Sequence, residues 1–292
     1  MSGSYPSRFG TIQEWCLANG IGVQEGRRRF AQYAVLSAVA DVAALRRDLV
    51  LKGGNALDFK WQPNRSTLDL DFSVDMAVST VVFDEHHVRT QFESGLRSVS
   101  GSLGVTLAVH RVRQNPPGEL RRFATFQITI GYALADETSL RGRMATGLPS
   151  SHTVAVEISL NEPQCATTTF ALDDTRTLRI GTLEDIIAEK LRALLQQPIR
   201  RRDRRQDLLD IAVVLVAGHE LDRGRVATFL LEKAAARSVP VSRMAFRDPE
   251  VTRRAAVDYA ALSATTRTRF VPYDEALATV LAFVDELPIP ER

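Results

Sequence analysis

Two stretches decide how this chain reads: Leu51-Lys52-Gly53-Gly54-Asn55-Ala56-Leu57 and, shortly after it, Leu68-Asp69-Leu70-Asp71-Phe72. In the first, the β-prone run Leu49-Val50-Leu51 meets paired glycines and then Ala56, Leu57, Phe59 and Trp61. That order predicts a strand, a glycine turn and a short helix. In the second, residues alternate from Leu68 to Val74. A strand with this pattern sends Leu68, Leu70 and Phe72 to one face and both carboxylates to the other. Neighbouring acids on a strand repel, and Asp is a poor strand former. Either a cation offsets the repulsion or the acids line a solvated outer face.

A divalent metal meets the first possibility, since Mg²⁺ prefers one or two carboxylates together with substrate phosphates. The glycine turn supplies a complementary feature. Free backbone N–H groups where a helix begins, with no side chains in the way, let a phosphate approach. Paired glycines alone usually mark a plain turn. Followed closely by Asp-x-Asp, they match the metal-plus-phosphate arrangement of nucleotidyl transfer.

Working outward, residues 11–47 read as helical, with Phe30, Tyr33, Ala34, Leu36 and Val39 at roughly helical spacing. A helix is expected over 84–100. Three β-rich runs follow at 105–112, 123–132 and 154–160, with a loop rich in Arg, Gly, Ser and Thr at 136–152. After Gly181 the runs 183–196, 206–217, 225–236 and 274–286 are all helical in pattern. The expected architecture is α+β over residues 1–180, with a mixed sheet and N-terminal helices, followed by an α-helical half over 181–292.

Composition bounds the class. Of 292 residues, 45% are hydrophobic and 25% charged, which excludes a disordered or collagen-like chain. The net charge of +2 hides an imbalance: among 37 basic residues only Lys52, Lys60, Lys190 and Lys233 are lysines. A GC-rich coding bias accounts for such a pattern; so does retention of arginine for its bidentate grip on phosphate. Cys16 and Cys165 match no zinc or CxxC spacing and are expected to be buried thiols of a reducing compartment. The first ten residues lack the apolar core of a signal peptide, and the longest apolar run, residues 211–218, is too short to span a bilayer. A cytoplasmic protein is expected.

Leu51-Lys52-Gly53-Gly54-Asn55-Ala56-Leu57, then Arg65-Ser66-Thr67-Leu68-Asp69-Leu70-Asp71-Phe72, resembles the AbiEii-type (MenT-like) nucleotidyltransferase toxins of bacterial toxin–antitoxin systems. These belong to the DNA polymerase β-like superfamily. The resemblance continues in Ile187-Ala188-Glu189-Lys190-Leu191-Arg192-Ala193-Leu194 and in Arg205-Gln206-Asp207-Leu208-Leu209-Asp210-Ile211, and so covers roughly residues 49–216. It implies a polymerase-β-like fold and a Mg²⁺-dependent transferase that moves nucleotides from an NTP to RNA, most often the 3′ end of tRNA, so blocking translation. The implied partners are an RNA acceptor and a cognate antitoxin, with no membrane and a monomeric state. Two alternatives stand beside it: a transferase acting on a protein or small-molecule hydroxyl, and a catalytically silent nucleotide-binding regulator.

Under this reading Asp69 and Asp71 hold the metal, with Glu157 as a third carboxylate on the late β-run. Gly53, Gly54 and Asn55 cradle the phosphates, although Asn55 stands where relatives often have a small hydroxyl residue. Thr182 and Asp185 resemble a capping box, with Asp in place of Glu or Gln. The helix that follows carries Lys190 on the same face as Leu183, Ile186, Ile187, Leu191, Leu194 and Leu195. An inward lysine needs a partner, and Lys190 is read as the group that contacts the triphosphate. Asp207 and Asp210 share a helix face; Asp207 is the preferred catalytic acid, and Asp210 is a nucleotide-binding or bracing residue. Three arginine clusters stand out: 27–29, 121–122 and 200–205. Arg200, Arg201, Arg202, Arg204 and Arg205 are expected to hold an RNA backbone through its phosphates. Thr67, two residues before Asp69, is a candidate regulatory hydroxyl, because a phosphate there would repel the substrate.

Overall fold

The computed structural model describes residues 5–65, 67–118 and 123–292. The chain opens with α1 (Ile12–Asn19), α2 (Val23–Asp41) and α3 (Ala43–Asp48). Next come β1 (Leu49–Lys52), the four-residue α4 (Gly53–Ala56), a π-type turn at Leu57–Trp61, β2 (Asp69–Val74) and α5 (Glu85–Leu103). The sheet is completed by β3 (Thr106–Asn115), β4 (Thr125–Ala133), β5 (Thr153–Ser159), β6 (Thr167–Ala171) and β7 (Thr177–Gly181), with α6 (Thr138–Ala145) between β4 and β5. The C-terminal helices are α7 (Leu183–Leu195), α8 (Gln197–Arg200), α9 (Arg205–Val216), α10 (Arg223–Ala236), α11 (Pro249–Ala256) and α12 (Tyr273–Asp285). The fold is α+β.

The seven strands form one mixed sheet in the order β3-β4-β5-β2-β1-β7-β6. β1 runs antiparallel to β2 and parallel to β7, and β2 runs parallel to β5. Its two faces differ because the strands alternate. Leu70, Phe72, Phe126, Ile128, Ile130, Val154, Val156 and Ile158 are all fully buried, each contributing about 1.5–3 kcal/mol of hydrophobic stabilisation. The α5 residues Val88, Phe92, Leu96 and Val99 are buried as that helix packs on β3 and α2. On the opposite face, Arg111, Arg113, Gln127 and Ala155 are exposed.

The chain divides into two compact units. The first comprises Met1–Phe59, Thr67–Asn161 and Thr168–Ile180; the second comprises Lys60–Ser66, Glu162–Thr167 and Gly181–Arg292. Residues 60–66 and 162–167, which the sequence reading leaves in the first half, therefore group with the helices. Specific bonds explain why. The Asn64 side-chain Oδ1 accepts from the Thr268 hydroxyl at 2.7 Å and from Arg269 N at 2.8 Å. The buried Lys233 donates to Pro163 O at 2.7 Å and pairs with Asp185 at 3.1 Å. Within this second unit α7 packs on α9 and α10, and α9 packs on α12.

Several local expectations change. Leu68 lies just before β2 and is 59% exposed, so it does not share the buried face of Leu70 and Phe72. The expected loop at 136–152 contains α6, a helix with only Met144 buried and hence with little apolar periodicity to reveal it. Strands β6 and β7 were not anticipated; they are short, and β6 is rich in Thr with no fully buried residue. Thr182 caps α7 by accepting from Asp185 N, but the Asp185 carboxylate turns to Lys233 and to Cys165 N, so only half of a capping box forms. Cys16 is buried while Cys165 is half-buried, and both are free. Burial pushes the Cys165 thiol up to about 12, which leaves it protonated and unreactive. No described helix is long and apolar enough to cross a membrane.

Candidate active site

In the first unit the site is built around the junction of β1, the glycine turn and β2. Gly53 has φ +71°, and a Cβ added there would stand 2.5 Å from Asp71 Oδ2. Glycine is thus required twice, for its backbone conformation and for the close approach of the carboxylate. The turn lies beside Asp71 because Lys52 and Asp71 are register partners across β1 and β2.

Asp71 is also the register partner of Glu157 on β5, and Asp69 is the partner of Ala155. Since side chains two apart share a face, Asp69, Asp71 and Glu157 all lie on the open side of the sheet. Asp69 is exposed at the start of β2, yet partial desolvation of its carboxyl pushes its pKa upward from the ordinary 3.8. Lys52 extends over the same face and donates to Ser159 Oγ at 2.9 Å. Among the described residues, no three His, Cys, Asp or Glu side chains are drawn together as a finished metal cage. Two strand carboxylates with a glycine-lined approach nevertheless fit a hard cation that keeps water and phosphate oxygens among its ligands.

Asn55 makes a structural contact beside the turn. It is fully buried, and its amide donates to Asp69 O at 2.5 Å, bracing the entry to β2. Gln32 of α2 braces the same segment, donating to Thr67 O at 2.9 Å and to Leu68 O at 3.1 Å. The Thr67 hydroxyl is buried without a hydrogen-bond partner. In this conformation the hydroxyl is not presented to a modifying enzyme. The glycine turn also leads into a helix of only four residues, so its anion-binding capacity rests on local N–H groups and not on a long helix dipole.

In the second unit, Lys190 of α7 is 6% exposed and donates to Asp207 Oδ1 and to Asp210 Oδ2, both at 2.8 Å. Sequence spacing correctly turned Lys190 inward; the structure shows that both acids of α9 hold it. Burial alone would favour the neutral amine, but the charges of Asp207 and Asp210 outweigh it and raise the Lys190 pKa above the ordinary 10.5. Asp210 also accepts from Arg65 at 3.2 Å. Burial would raise its pKa, yet Lys190 and Arg65 hold the carboxyl below the ordinary 3.8. Asp210 is therefore a buried brace between two cations, while Asp207 is the more accessible acid. Arg65 belongs to this cluster although only its place within a motif pointed to it.

The arginine clusters divide. Arg27 pairs with Asp136 at 2.7 Å, and Arg29 is buried against Asp58 and over the Phe59 ring. Arg121 and Arg122 lie outside the described residues. Arg204 faces Asp207 at 3.8 Å, and Arg205 pairs with Asp258 at 3.1 Å. Arg200, Arg201 and Arg202 are exposed. Only the first three of the five expected RNA-binding arginines thus remain without an ion pair among the described residues.

The mixed sheet of the first unit presents two carboxylates beside a glycine turn, and the helical unit holds a buried lysine–aspartate cluster. Residues 34–279 match the family described as nucleotidyl transferase AbiEii toxin, type IV toxin–antitoxin system, and the chain belongs to that family. No curated protein matches the chain. Among solved structures it is similar to a candidate nucleotidyltransferase from H. pylori, with TM-score 0.52, 15% identity and coverage of 91% of this chain and 95% of that one. It is likewise similar to JHP933 from Helicobacter pylori, with TM-score 0.52, 15% identity and 90% of each chain covered. At that identity the likeness concerns the fold.

Proposed function

We propose that this protein is a Mg²⁺-dependent toxin that transfers nucleotides from an NTP to the 3′ hydroxyl of RNA, with tRNA as the foremost acceptor and an antitoxin as its cognate partner. The observation that carries the reading is the register placing Glu157 beside Asp71, on the same face as Asp69 and against the Gly53 turn. When bound, Mg²⁺ would neutralise phosphate charge and lower the barrier to displacement. Asp69 and Asp71 would hold it. Gly53 and Gly54 would leave room for the triphosphate. Glu157 would accept the proton of the attacking hydroxyl, whose oxygen bonds to the α-phosphorus as the bond to the β-phosphate breaks and pyrophosphate leaves.

The test is incubation of the protein with Mg²⁺, each labelled NTP in turn and total tRNA, beside an Asp69→Asn control. Label on RNA that disappears in the control is expected. Absence of label from every RNA would overturn the RNA acceptor, and label persisting in the control would overturn the site.

A further inference from the structure

The open face of the first unit continues beyond the carboxylates. Asp71 pairs in register with Glu157, Glu157 with Gln127, and Gln127 with Arg113. One step along, Asp69 pairs with Ala155, Ala155 with Thr129, and Thr129 with Arg111. Each aspartate thus begins a row that crosses β5 and β4 and ends in an arginine on β3, the edge strand. The intervening Gln127, Ala155 and Thr129 carry no charge. Arg111 and Arg113 are both exposed, and among the described residues neither makes a side-chain hydrogen bond or ion pair.

A second feature reinforces the arrangement. The β3–β4 register shifts between Val109 and Arg111, leaving His110 as the extra residue of a bulge. Its ring occupies the space that a Cβ on Gly131 would need, and its Nε2 accepts from Ser150 N at 3.3 Å. The bulge keeps Arg111 in step with Thr129 and hence on the face of Asp69, as bulges beside working sites re-aim side chains.

We propose that this face is the track of a single-stranded RNA acceptor, with Arg111 and Arg113 holding backbone phosphates upstream of the reacting end. The proposal rests on the RNA reading above. Three strand spacings separate β2 from β3, or about 14 Å. At about 3.4 Å per stacked nucleotide, that spans roughly four nucleotides, and fewer if the strand is drawn out. The charge order suits a polyanion: carboxylates sit where a cation joins the reacting phosphate, and arginines sit where only backbone phosphate remains. Guanidinium groups grip phosphate without reading bases, so the track favours a 3′ overhang of sufficient length over a particular sequence.

The experiment uses the full chain with fluorescent single-stranded RNA oligonucleotides of one to six nucleotides, read by anisotropy without NTP, for wild type and the Arg111→Gln/Arg113→Gln variant. Wild type is expected to gain affinity as the oligonucleotide lengthens from two nucleotides to four or five, and the variant to lose that gain by 10-fold or more. Loss of two phosphate contacts should also lower the salt slope of log affinity by about 1.4. Both substituted residues are exposed, so unchanged thermal unfolding will verify the fold; Arg111→Lys/Arg113→Lys, which keeps charge, should recover part of the affinity. Equal binding by wild type and variant, or no binding by either, overturns the track. An Arg200→Gln/Arg201→Gln/Arg202→Gln variant that alone abolishes binding also overturns it, assigning the backbone to the other unit. Failure of the tRNA labelling test with length-dependent binding intact would instead reject the transfer reaction while sparing the track.

Discussion

Replacing Gly53 with alanine perturbs the closest approach in the candidate site. At φ +71° an L-residue is strained by about 1–2 kcal/mol. The new Cβ would meet Asp71 Oδ2 at 2.5 Å and its Cβ and Cγ at 3.2 Å. The carboxylate would have to leave its rotamer, at a further cost of about 0.5–1.5 kcal/mol. Against this, the stiffer unfolded chain returns about 0.4–1 kcal/mol. The net expectation is a loss of roughly 0.5–3 kcal/mol, accompanied by loss of nucleotide transfer out of proportion to it because Asp71 is displaced. Gly101, exposed in α5 with nothing within 4 Å of its added Cβ, is the comparison: Gly101→Ala should stabilise by about 0.5–1 kcal/mol. Urea unfolding of both variants reads the two signs. In an Asp71→Ala background the carboxylate share should vanish, leaving only the backbone strain. A neutral or stabilising Gly53→Ala, or an undiminished loss in that background, would refute the close-approach argument.

Asp210→Ala should destabilise by about 3–5 kcal/mol, because it leaves Lys190 and Arg65 sharing too few buried counter-charges; Asp207→Ala should cost less, since that acid is less enclosed, and equal losses in urea unfolding would count against the distinction. The Asp210 contribution is present above its ordinary 3.8 and lost as pH falls through its lowered folded value, whereas the Lys190 contribution is present below 10.5 and lost as pH rises through its raised value. Stability measured against pH should therefore decline at both extremes, with the acid-side decline reduced in Asp210→Asn. Asn55→Ala removes a buried bond to Asp69 O and should cost about 1–3 kcal/mol, while a phosphate-binding role alone would leave unfolding unchanged and raise only the KM for NTP. Chelation of divalent metal should abolish labelling, and restored Mg²⁺ should recover it; labelling that persists under chelation would refute the metal requirement.

What could be read from the sequence was whatever local periodicity encodes. Asp69 and Asp71 on one strand face, and Lys190 turned inward on α7, follow from spacings of two and of three to four residues. The pairing of Asp71 with Glu157 lies beyond that reach: it joins residues far apart through the parallel register of β2 and β5. Arg111 and Arg113 were passed over for the same reason, as nothing near them in the chain signals that their rows end at the aspartates. The motif position of Asn55 suggests a ligand contact, whereas its burial and its bond to Asp69 O are tertiary facts that no local pattern signals. Strands β6 and β7 escaped because neither offers a run of alternating buried residues long enough to stand out.

The interleaving of the two units has a consequence for dissection of the gene. The chain passes between them five times, at residues 59/60, 66/67, 161/162, 167/168 and 180/181. A stop codon after Ile180 would keep every segment of the first unit but carry residues 60–66 and 162–167 of the second with it, and no start codon can release the second unit by itself. A fragment beginning at Gly181 would lack Arg65 and so leave Asp210 with one cation instead of two; it would also lack Pro163, the carbonyl that Lys233 holds. Only a fragment that also carries most of the first unit holds all three segments of the second.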